Sequence, residues 1–367
     1  MPSDLNAVYE CILLRIPIPE RQDTKRMLEW LAFSGRPLRI GELTHALAVN
    51  HTRLQGFAHE DLDVAPFKSP LLCSSLVTKA RANVHDVQSV PAYYSWAIAA
   101  IPERDYEEVR LAHASVREFL LLEALRDSAA KDFYLDAQIA HRNIAETCLL
   151  YLLTPDLSYG VASRARHRRR LHDWPLLLYA ANLWPGHSNK ARESFREETW
   201  KLAEQLFETR SDPRCGNYGT WVATMMPATS LQKIRHTRPL YYAASFGLAE
   251  VTKRLLEGDA RRHINELGGR HKSAPLQVAA YRGRLEVVKI LIAAGADPNL
   301  TPDLGDTNST LFWAVVNDHA AVATYLIEHG ATVLEGEWEG MRRYDWSGLA
   351  ERCYQLWKQR HDDSKFQ

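Results

Sequence analysis

The sequence predicts a mainly α-helical protein whose last part is a solenoid of short helical hairpins. Three observations lead to this prediction. A short segment recurs three times, at residues 238–244, 274–280 and 310–314, and its leucines (Leu240, Leu276 and Leu311) are 36 and 35 residues apart. A turn residue follows each leucine at the same distance. The sequence after each turn is apolar on one side only, as in an amphipathic helix.

The turn residues and the period identify the type of repeat. Gly247, Gly283 and Asp318 each stand seven residues after a repeat leucine, and Gly or Asp tolerates the positive φ of a tight reversal. The spacing is close to the ~33-residue ankyrin period with its T-P-L-H-x-A signature. We therefore predict about three ankyrin repeats over residues 235–334, the third of them degenerate. Because stacked repeats need capped ends, we expect residues 335–367 to form a C-terminal capping segment with a closing helix at 344–358.

Composition places the whole chain in a broad class. The chain has 45 Lys and Arg against 45 Asp and Glu, and this zero net charge disfavours general attraction to nucleic acid or anionic lipid. No run approaches the ~18 apolar residues of a membrane span, and the first residues do not resemble a signal peptide. The 5 cysteines are scattered, as is typical of reduced thiols. We expect a cytoplasmic protein that does not bind membranes.

The first part of the chain reads as helix, helix, helix, strand, loop, strand. Apolar periodicity predicts helices at residues 5–16, 23–34 and 40–49, and alternation predicts strands at 71–77 and 107–112. Ser115 and Glu118 have the spacing of a capping box that opens a helix at 116–125. This is the element order of a winged helix, which we assign to residues 1–127.

Residues 128–234 are predicted to be a helical connector. Residues 139–153 and 174–184 are apolar enough for core helices, and 191–209 is amphipathic. The basic run Arg164–Arg170 interrupts them. We interpret it as a solvated loop, while a nuclear-localisation or nucleic-acid patch is the alternative that stays open.

Particular residue runs also resemble a known family. They include Leu-Asn-Ala-Val-Tyr-Glu at 5–10, Trp-Leu-Ala-Phe-Ser at 30–34, Leu-Ala-His-Ala-Ser-Val at 111–116, Tyr-Ala-Ala at 179–181 and Pro-Leu-Tyr-Tyr-Ala at 239–243. In these runs the chain resembles the part of fungal-type NACHT–ankyrin signal-transduction (STAND) ATPases that follows their nucleotide-binding module. The likeness extends over nearly the whole chain. It implies that the winged helix serves as a regulatory joint.

One departure from that family is decisive for nucleotide binding. Family members place a NACHT module before the winged helix, but this sequence contains no Gly-Lys dipeptide and so no G-x-x-x-x-G-K-[ST] loop. Either the chain is a shortened relative or its sequence starts late. The first alternative function is therefore a fragment of a nucleotide-switch ATPase whose NACHT domain lies upstream or on another chain. A second alternative, a DNA-binding regulator, is disfavoured because residues 40–49 offer no Arg, Lys, Asn or Gln to bases.

We find no sequence signal for catalysis, a cofactor or a metal. His113 and Ser115 are close in sequence, but the chain lacks a G-x-S-x-G nucleophile elbow. No H-E-x-x-H zinc motif occurs. We therefore expect a non-enzymatic protein without catalytic, cofactor-binding or metal-binding residues.

The predicted function is recognition of a protein partner by the groove of the repeats. The residue after each Leu-x pair and the finger tips between repeats are expected to face this groove. Exposed Tyr, Trp and Arg are enriched in binding hot spots. The candidate partner-binding residues are Tyr242, Arg270, Lys272, Val278, Tyr281, Asp303, Asp306 and Trp313. The opposing interpretation, that the aromatic rings pack between repeats, stays open for Trp313, and so does the oligomeric state.

Overall fold

The fold is seen in a computed structural model of the chain. The structure describes residues 3–49, 75–81, 107–160, 162–227, 229–269, 272–300, 308–333, 336–345 and 347–363. The chain divides into two compact units, Met1–Ala228 and Thr229–Gln367. Each unit is described by itself.

The first unit combines helices with one small sheet. Its helices are α1 (Ser3–Leu14), α2 (Arg21–Phe33), α3 (Ile40–Ala48), α4 (Ala114–Leu120), α5 (Ala137–Leu152), α6 (Arg164–Asp173), α7 (Leu177–Ala191), α8 (Glu197–Glu208) and α9 (Gly216–Met225). Its strands are β1 (Leu38–Arg39), β2 (Val77–Arg81) and β3 (Glu107–Leu111).

The sheet is antiparallel, with β3 in the middle and the strand order β1-β3-β2. Leu38 pairs with Val109 on one side of β3, and Val77 pairs with Leu111 on the other. The helices predicted at 5–16, 23–34 and 40–49 are confirmed, as is the strand at 107–112. The strand predicted at 71–77 is shifted to Val77–Arg81, and residues 71–74 of that prediction lie outside the described residues.

The prediction that Ser115 caps the next helix is wrong. His113 is the N-cap: its backbone is extended and its Nδ1 accepts a hydrogen bond from the Ser115 amide at 3.2 Å. The Ser115 hydroxyl lies 2.8 Å from the Tyr9 hydroxyl and 2.7 Å from His113 Nδ1. It is thus engaged with a distant residue of α1. Helix α4 accordingly starts at Ala114 and ends at Leu120, short of the predicted 116–125.

The basic run is also not the loop that we predicted. Residues Arg164–Asp173 form helix α6, capped by Ser163, whose hydroxyl accepts from the Arg166 amide at 3.4 Å. Arg170 ties this helix to the unit by donating to the Gly160 carbonyl oxygen at 2.9 Å. His167 is buried, and desolvation followed by the charge of Arg170 lowers its pKa to about 4. Arginine is a good helix former, and the Ser163 cap, the buried His167 and the half-buried Arg170 hold this run as a helix.

The amphipathic stretch predicted as one helix at 191–209 is divided. Helix α7 ends at Ala191, a short 3-10 turn covers Arg192–Ser194, and α8 begins at Glu197. The core of this unit is rich in aromatic rings. Among its fully buried side chains are Phe133, Tyr151, Tyr179, Trp184, Tyr218 and Trp221.

The second unit is built from helices in pairs. After α10 (Leu231–His236) come α11 (Pro239–Phe246) with α12 (Ala249–Glu257), α13 (Pro275–Tyr281) with α14 (Leu285–Ala293), α15 (Thr310–Val316) with α16 (Ala320–Glu328), and α17 (Glu337–Tyr344) with α18 (Leu349–Asp363). The predicted turn residues Gly247, Gly283 and Asp318 have positive φ values of 75°, 67° and 57°. The reversals are therefore where the spacing predicts them.

The end of the chain differs from the single closing helix expected at 344–358. Helix α17 begins at Glu337 and α18 follows it. Helix α17 contacts α15, and α18 contacts both α15 and α16. A fourth helix pair, rather than one helix, therefore covers the third repeat.

Candidate partner-binding surface

The inner helices of the repeats, α11, α13 and α15, form the base of the candidate surface. Helix α13 contacts α11 on one side and α15 on the other. Alanines at the helix centres are fully buried, Ala243 and Ala244 in α11 and Ala279 and Ala280 in α13. Because alanine has the smallest side chain with a Cβ, these positions let neighbouring helices approach closely. The alanine pairs of α11 and α13 thus allow these inner helices to stack closely.

The finger between the first and second repeats is held by a short backbone bridge. Gly268 and Ser273 exchange two hydrogen bonds, at 2.9 and 3.1 Å. Gly269 has a φ of 69°, and a Cβ there would lie 2.2 Å from the Tyr241 ring. Only glycine satisfies both constraints. Burial raises the pKa of Tyr241, whose hydroxyl lies 3.4 Å from Ser273 Oγ.

Two asparagines link each repeat to the next. Asn265 Oδ1 accepts a hydrogen bond from the Asp297 amide at 3.1 Å. Asn299, 34 residues later (299 − 265), accepts from the Thr332 amide at 2.7 Å and donates to the Gly330 carbonyl oxygen at 2.9 Å. These bonds fix the segments that leave the outer helices, and with them the spacing of the fingers.

The structure contradicts the prediction that Tyr242 and Val278 line an open groove. Tyr242 has 0% of its surface exposed and Val278 8%. The Tyr242 ring stacks on Phe246 with ring centroids 6.1 Å apart and meets the Tyr241 ring at 5.4 Å. In the first two repeats the inner helix is covered by neighbours, so the residue after the Leu-x pair lies in the packed interior rather than at the surface.

Tyr281 and Trp313 are the predicted aromatic residues that reach the surface. Tyr281 is 46% exposed, and Trp313 is half-buried. Their rings meet edge to face with centroids 5.5 Å apart. His319 Nε2 lies 3.1 Å from the Tyr281 carbonyl oxygen, and the same imidazole packs against Gly283. This pair therefore spans the second and third repeats, and Trp313 both packs between repeats and remains partly accessible.

Sequence reasoning missed three neighbours of this pair. Arg282, Val316 and Asn317 are half-buried at the C-terminal ends of α13 and α15. Arg282 Nε is buried and finds no hydrogen-bond acceptor among the described residues. Their position in the repeat could have indicated partial exposure. They stand between the buried helix centre and the positive-φ turn, where an inner helix extends beyond its neighbours.

The predicted charged residues are only partly seen. Lys272 is exposed beside the backbone bridge of the finger, with a φ of 49°. Arg270, Asp303 and Asp306 lie outside the described residues. From the sequence alone we predict a basic-to-acidic gradient along the fingers, with Arg270 and Lys272 on one finger and Asp303 and Asp306 on the next.

The described residues also bear on two other kinds of protein, those that span a membrane and those that bind a metal ion. In the part of the chain that the structure describes, none of the helices is both long and apolar enough to cross a membrane. Within those same ranges, three or more His, Cys, Asp or Glu side chains never gather as metal ligands would.

Comparison with known proteins agrees with this geometry. Residues 222–302 and 240–336 match the family described as ankyrin repeats (3 copies). The second unit therefore contains ankyrin repeats, and their number, about three, stays a prediction. Over 317 residues the chain is 30% identical to azaphilone pigments biosynthesis cluster protein L of Monascus ruber, a similarity that covers 81% of this chain. The chain spans 60% of the length of that relative.

Proposed function

We propose that this chain is a non-enzymatic protein–protein interaction module whose partner binds at the ends of the inner ankyrin helices. The observation that carries the proposal is the exposed Tyr281–Trp313 pair, which bridges the second and third repeats. A half-exposed tyrosine offers a large amphipathic surface and loses little rotamer entropy on binding.

Arg282 adds a polar requirement to the same surface. Its buried Nε lacks an acceptor among the described residues, and leaving a charged donor unsatisfied costs free energy. A partner that places a carboxylate or a backbone carbonyl next to an apolar group would pair with the accessible part of the half-buried Arg282 side chain and cover Tyr281 at once. Lys272, exposed on the preceding finger, would favour approach of an acidic partner.

We propose further that the first unit contains a winged helix that acts as a regulatory joint of a NACHT-type signalling system. The order of three helices and a β1-β3-β2 sheet supports the winged helix. Helix α3, the candidate recognition helix, packs inward: Glu42 is fully buried and His45 Nδ1 lies 2.8 Å from the Tyr151 hydroxyl. Because α3 packs inward, these side chains are not free to contact DNA bases. This supports a regulatory role for the winged helix rather than DNA binding. The NACHT relation rests on the sequence resemblance, which also keeps the nucleotide-switch fragment as the alternative.

The name of the Monascus ruber relative assigns that protein to an azaphilone pigment biosynthesis cluster and names no reaction. A binding or regulatory role for the present chain is compatible with such a name. Membership of that biosynthesis cluster is a property of the relative.

Affinity capture tests the proposed surface. The tagged full chain is compared with Tyr281→Ala and with Tyr344→Ala, which removes another exposed tyrosine, 58% accessible, outside the proposed surface. We expect proteins bound by the wild type and by Tyr344→Ala to be depleted about tenfold or more with Tyr281→Ala, as for a hot-spot residue. Quantitative mass spectrometry of the captured proteins gives the ratio.

Thermal melting of the three proteins separates binding from folding. The melting temperature should be nearly the same for all of them, because both rings are exposed. If Tyr281→Ala retains the same proteins as the wild type, the partner surface lies elsewhere and the proposal fails.

A further inference from the structure

A cleft of about 690 Å³ lies in the first unit between helices α2, α5 and α8. Its volume is in the range of small-molecule sites, ~300–1,000 Å³. Each helix contributes one stripe of residues at helical spacing. The stripes are Gln22, Arg26, Glu29 and Trp30 of α2, Asn143, Glu146, Thr147 and Leu150 of α5, and Glu198, Lys201, Leu202 and Gln205 of α8, with Arg196 beside them.

The polarity of these stripes is unusual for facing helices. Helices that pack against one another normally present apolar stripes, because burial of apolar surface drives the packing. Here the facing positions are mostly charged or amide side chains, and a cavity opens among them. The apolar members, Trp30, Leu150 and Leu202, are buried. The cleft therefore has an apolar part inside and an otherwise polar lining.

Glu29 is a buried carboxylate in the cleft with few hydrogen-bond donors around it in the described part of the chain. Only 7% of its surface is exposed. Among the described residues its hydrogen-bond donor is the Asn143 amide, whose Nδ2 lies 3.2 and 3.5 Å from the two carboxylate oxygens. An ionised carboxylate can accept about four hydrogen bonds. Burial, opposed first by the Asn143 hydrogen bond, raises the pKa of Glu29.

The nearby arginines do not neutralise Glu29 directly. Arg26 Nη2 donates to the Val49 carbonyl oxygen at 2.8 Å, and Arg142 Nη2 donates to Asn143 Oδ1 at 3.1 Å. Within the described ranges, neither guanidinium comes within 4.0 Å of the Glu29 carboxylate. Glu146 differs, since it accepts from the Thr199 hydroxyl at 2.5 Å. Glu29 thus keeps acceptor capacity that faces the cleft.

The exposed part of the lining is mostly of the opposite charge. Arg196 and Lys201 are both exposed there, beside one exposed carboxylate, Glu198. We propose that this cleft binds a small zwitterion, with its ammonium or guanidinium group at Glu29, its aliphatic part against Trp30 and Leu202, and its carboxylate at Arg196 and Lys201. A purely cationic ligand would satisfy Glu29 but would face Arg196 and Lys201. A purely anionic ligand would place its charge near a buried carboxylate.

A series of amino acids tests the proposal on the full chain. Glycine, 4-aminobutyrate and 6-aminohexanoate each carry one ammonium and one carboxylate at increasing separation, and L-arginine adds a guanidinium group at the far end of its side chain. Calorimetry gives the affinity of each. We expect binding to depend on length, with one or two members clearly preferred. Glu29→Gln should weaken the preferred probe by about tenfold or more, because a charge-assisted hydrogen bond is lost.

Two further variants protect the result from a folding artefact. Glu204→Gln changes an exposed carboxylate of α8 that does not line the cleft, and it should leave affinity unchanged. The double variant Arg196→Gln and Lys201→Gln alters only exposed residues. It should weaken L-arginine more than agmatine, which has the guanidinium without the carboxylate. No heat with any probe, or equal affinity of wild type and Glu29→Gln, would overturn the proposal.

Discussion

The asparagines that link the repeats and the Glu42 cluster of the first unit show two different kinds of polar interaction. In the repeats, Asn265 and Asn299 occupy equivalent positions and bond the backbone of the following segment. In the first unit, Glu42 is fully buried on α3 and is held by two arginines. Arg36 donates to it at 2.5 and 2.8 Å, and Arg39 at 2.9 Å. These two asparagines thus use neutral groups against backbone, whereas the Glu42 cluster sets charges against each other.

This difference decides where each unit is vulnerable. A neutral side chain that bonds exposed backbone can be replaced by water at small cost. A buried carboxylate between two guanidinium groups cannot, since removing it leaves two positive charges without their partner. We therefore expect the largest single-residue effect in the first unit from a charge, and in the repeats from an apolar contact.

The first prediction is that Glu42→Ala costs about 3–5 kcal/mol of unfolding free energy, the usual range for removing one partner of a buried ion pair. Hydrogen exchange followed by mass spectrometry on the full chain should show the loss in peptides from α2 and α3. The control is Glu123→Ala, which breaks the ion pair of an exposed carboxylate with Arg126. It should change stability by no more than about 0.5 kcal/mol.

Glu42 should also make the free energy of unfolding depend on pH. Burial would raise the pKa of Glu42, but Arg36 and Arg39 outweigh it and hold the pKa well below the ordinary value of 4.5. A carboxyl with a depressed folded pKa contributes stability above its unfolded pKa and loses it as the pH falls. The difference in stability between wild type and Glu42→Ala should therefore be constant above pH 4.5 and shrink below it. A difference that grows on acidification would contradict the assignment.

The second prediction concerns the repeats. Leu276 is 1% exposed in α13, the middle inner helix. Leu276→Ala should cost about 2–5 kcal/mol, because it removes transfer free energy and leaves a cavity between helices that cannot fully collapse. Hydrogen exchange should increase in peptides from α11, α13 and α15 and stay unchanged in α2 and α3.

Leu267→Ala is the matched control, since this leucine of the same unit is 38% exposed. Its cost should stay below about 1 kcal/mol. If Leu276→Ala and Glu42→Ala each loosen both units equally, the comparison between them breaks down, and the chain unfolds as one cooperative body.

The repeats could be predicted well because the same residue types recur with one period. This period is shared by three leucines, two alanine pairs and three turn residues, so a departure at a single position does not change the prediction. The same argument explains the failure at Tyr242. The sequence gives the spacing of α11 but not how many neighbours cover it, and a short helix between two others buries residues on nearly every side.

The first unit was predicted less well because its decisive contacts are far apart in sequence. Ser115 was read as a cap from its local pattern, but Tyr9, 106 residues away, engages its hydroxyl. Arg170 anchors α6 to Thr220 at 3.1 Å across 50 residues. Glu29 finds its amide partner in Asn143 across 114 residues. Periodicity carries no information about such pairs, and the cleft could not have been found without the structure.

The third and smallest prediction tests the neutral links between repeats. Asn299→Ala removes three hydrogen bonds, from the Thr332 amide at 2.7 Å, from the Thr332 hydroxyl at 2.9 Å and to the Gly330 carbonyl oxygen at 2.9 Å. Asn265→Ala removes one, at 3.1 Å. Because water reaches these exposed groups, we expect about 1–2 kcal/mol for Asn299 and at most about 1 kcal/mol for Asn265.

The amide of Thr332 provides the site-specific measurement. Its exchange should accelerate in Asn299→Ala and remain at the wild-type rate in Asn265→Ala, whereas the amide of Asp297 should respond in the opposite way. Such a crossed pattern would show that each asparagine acts on the next segment of backbone alone. Equal acceleration of both amides in either variant would mean that the links act through the stack of inner helices. The neutral bonds would then be as far-reaching as the buried charges, and the distinction between the two units would lose its basis.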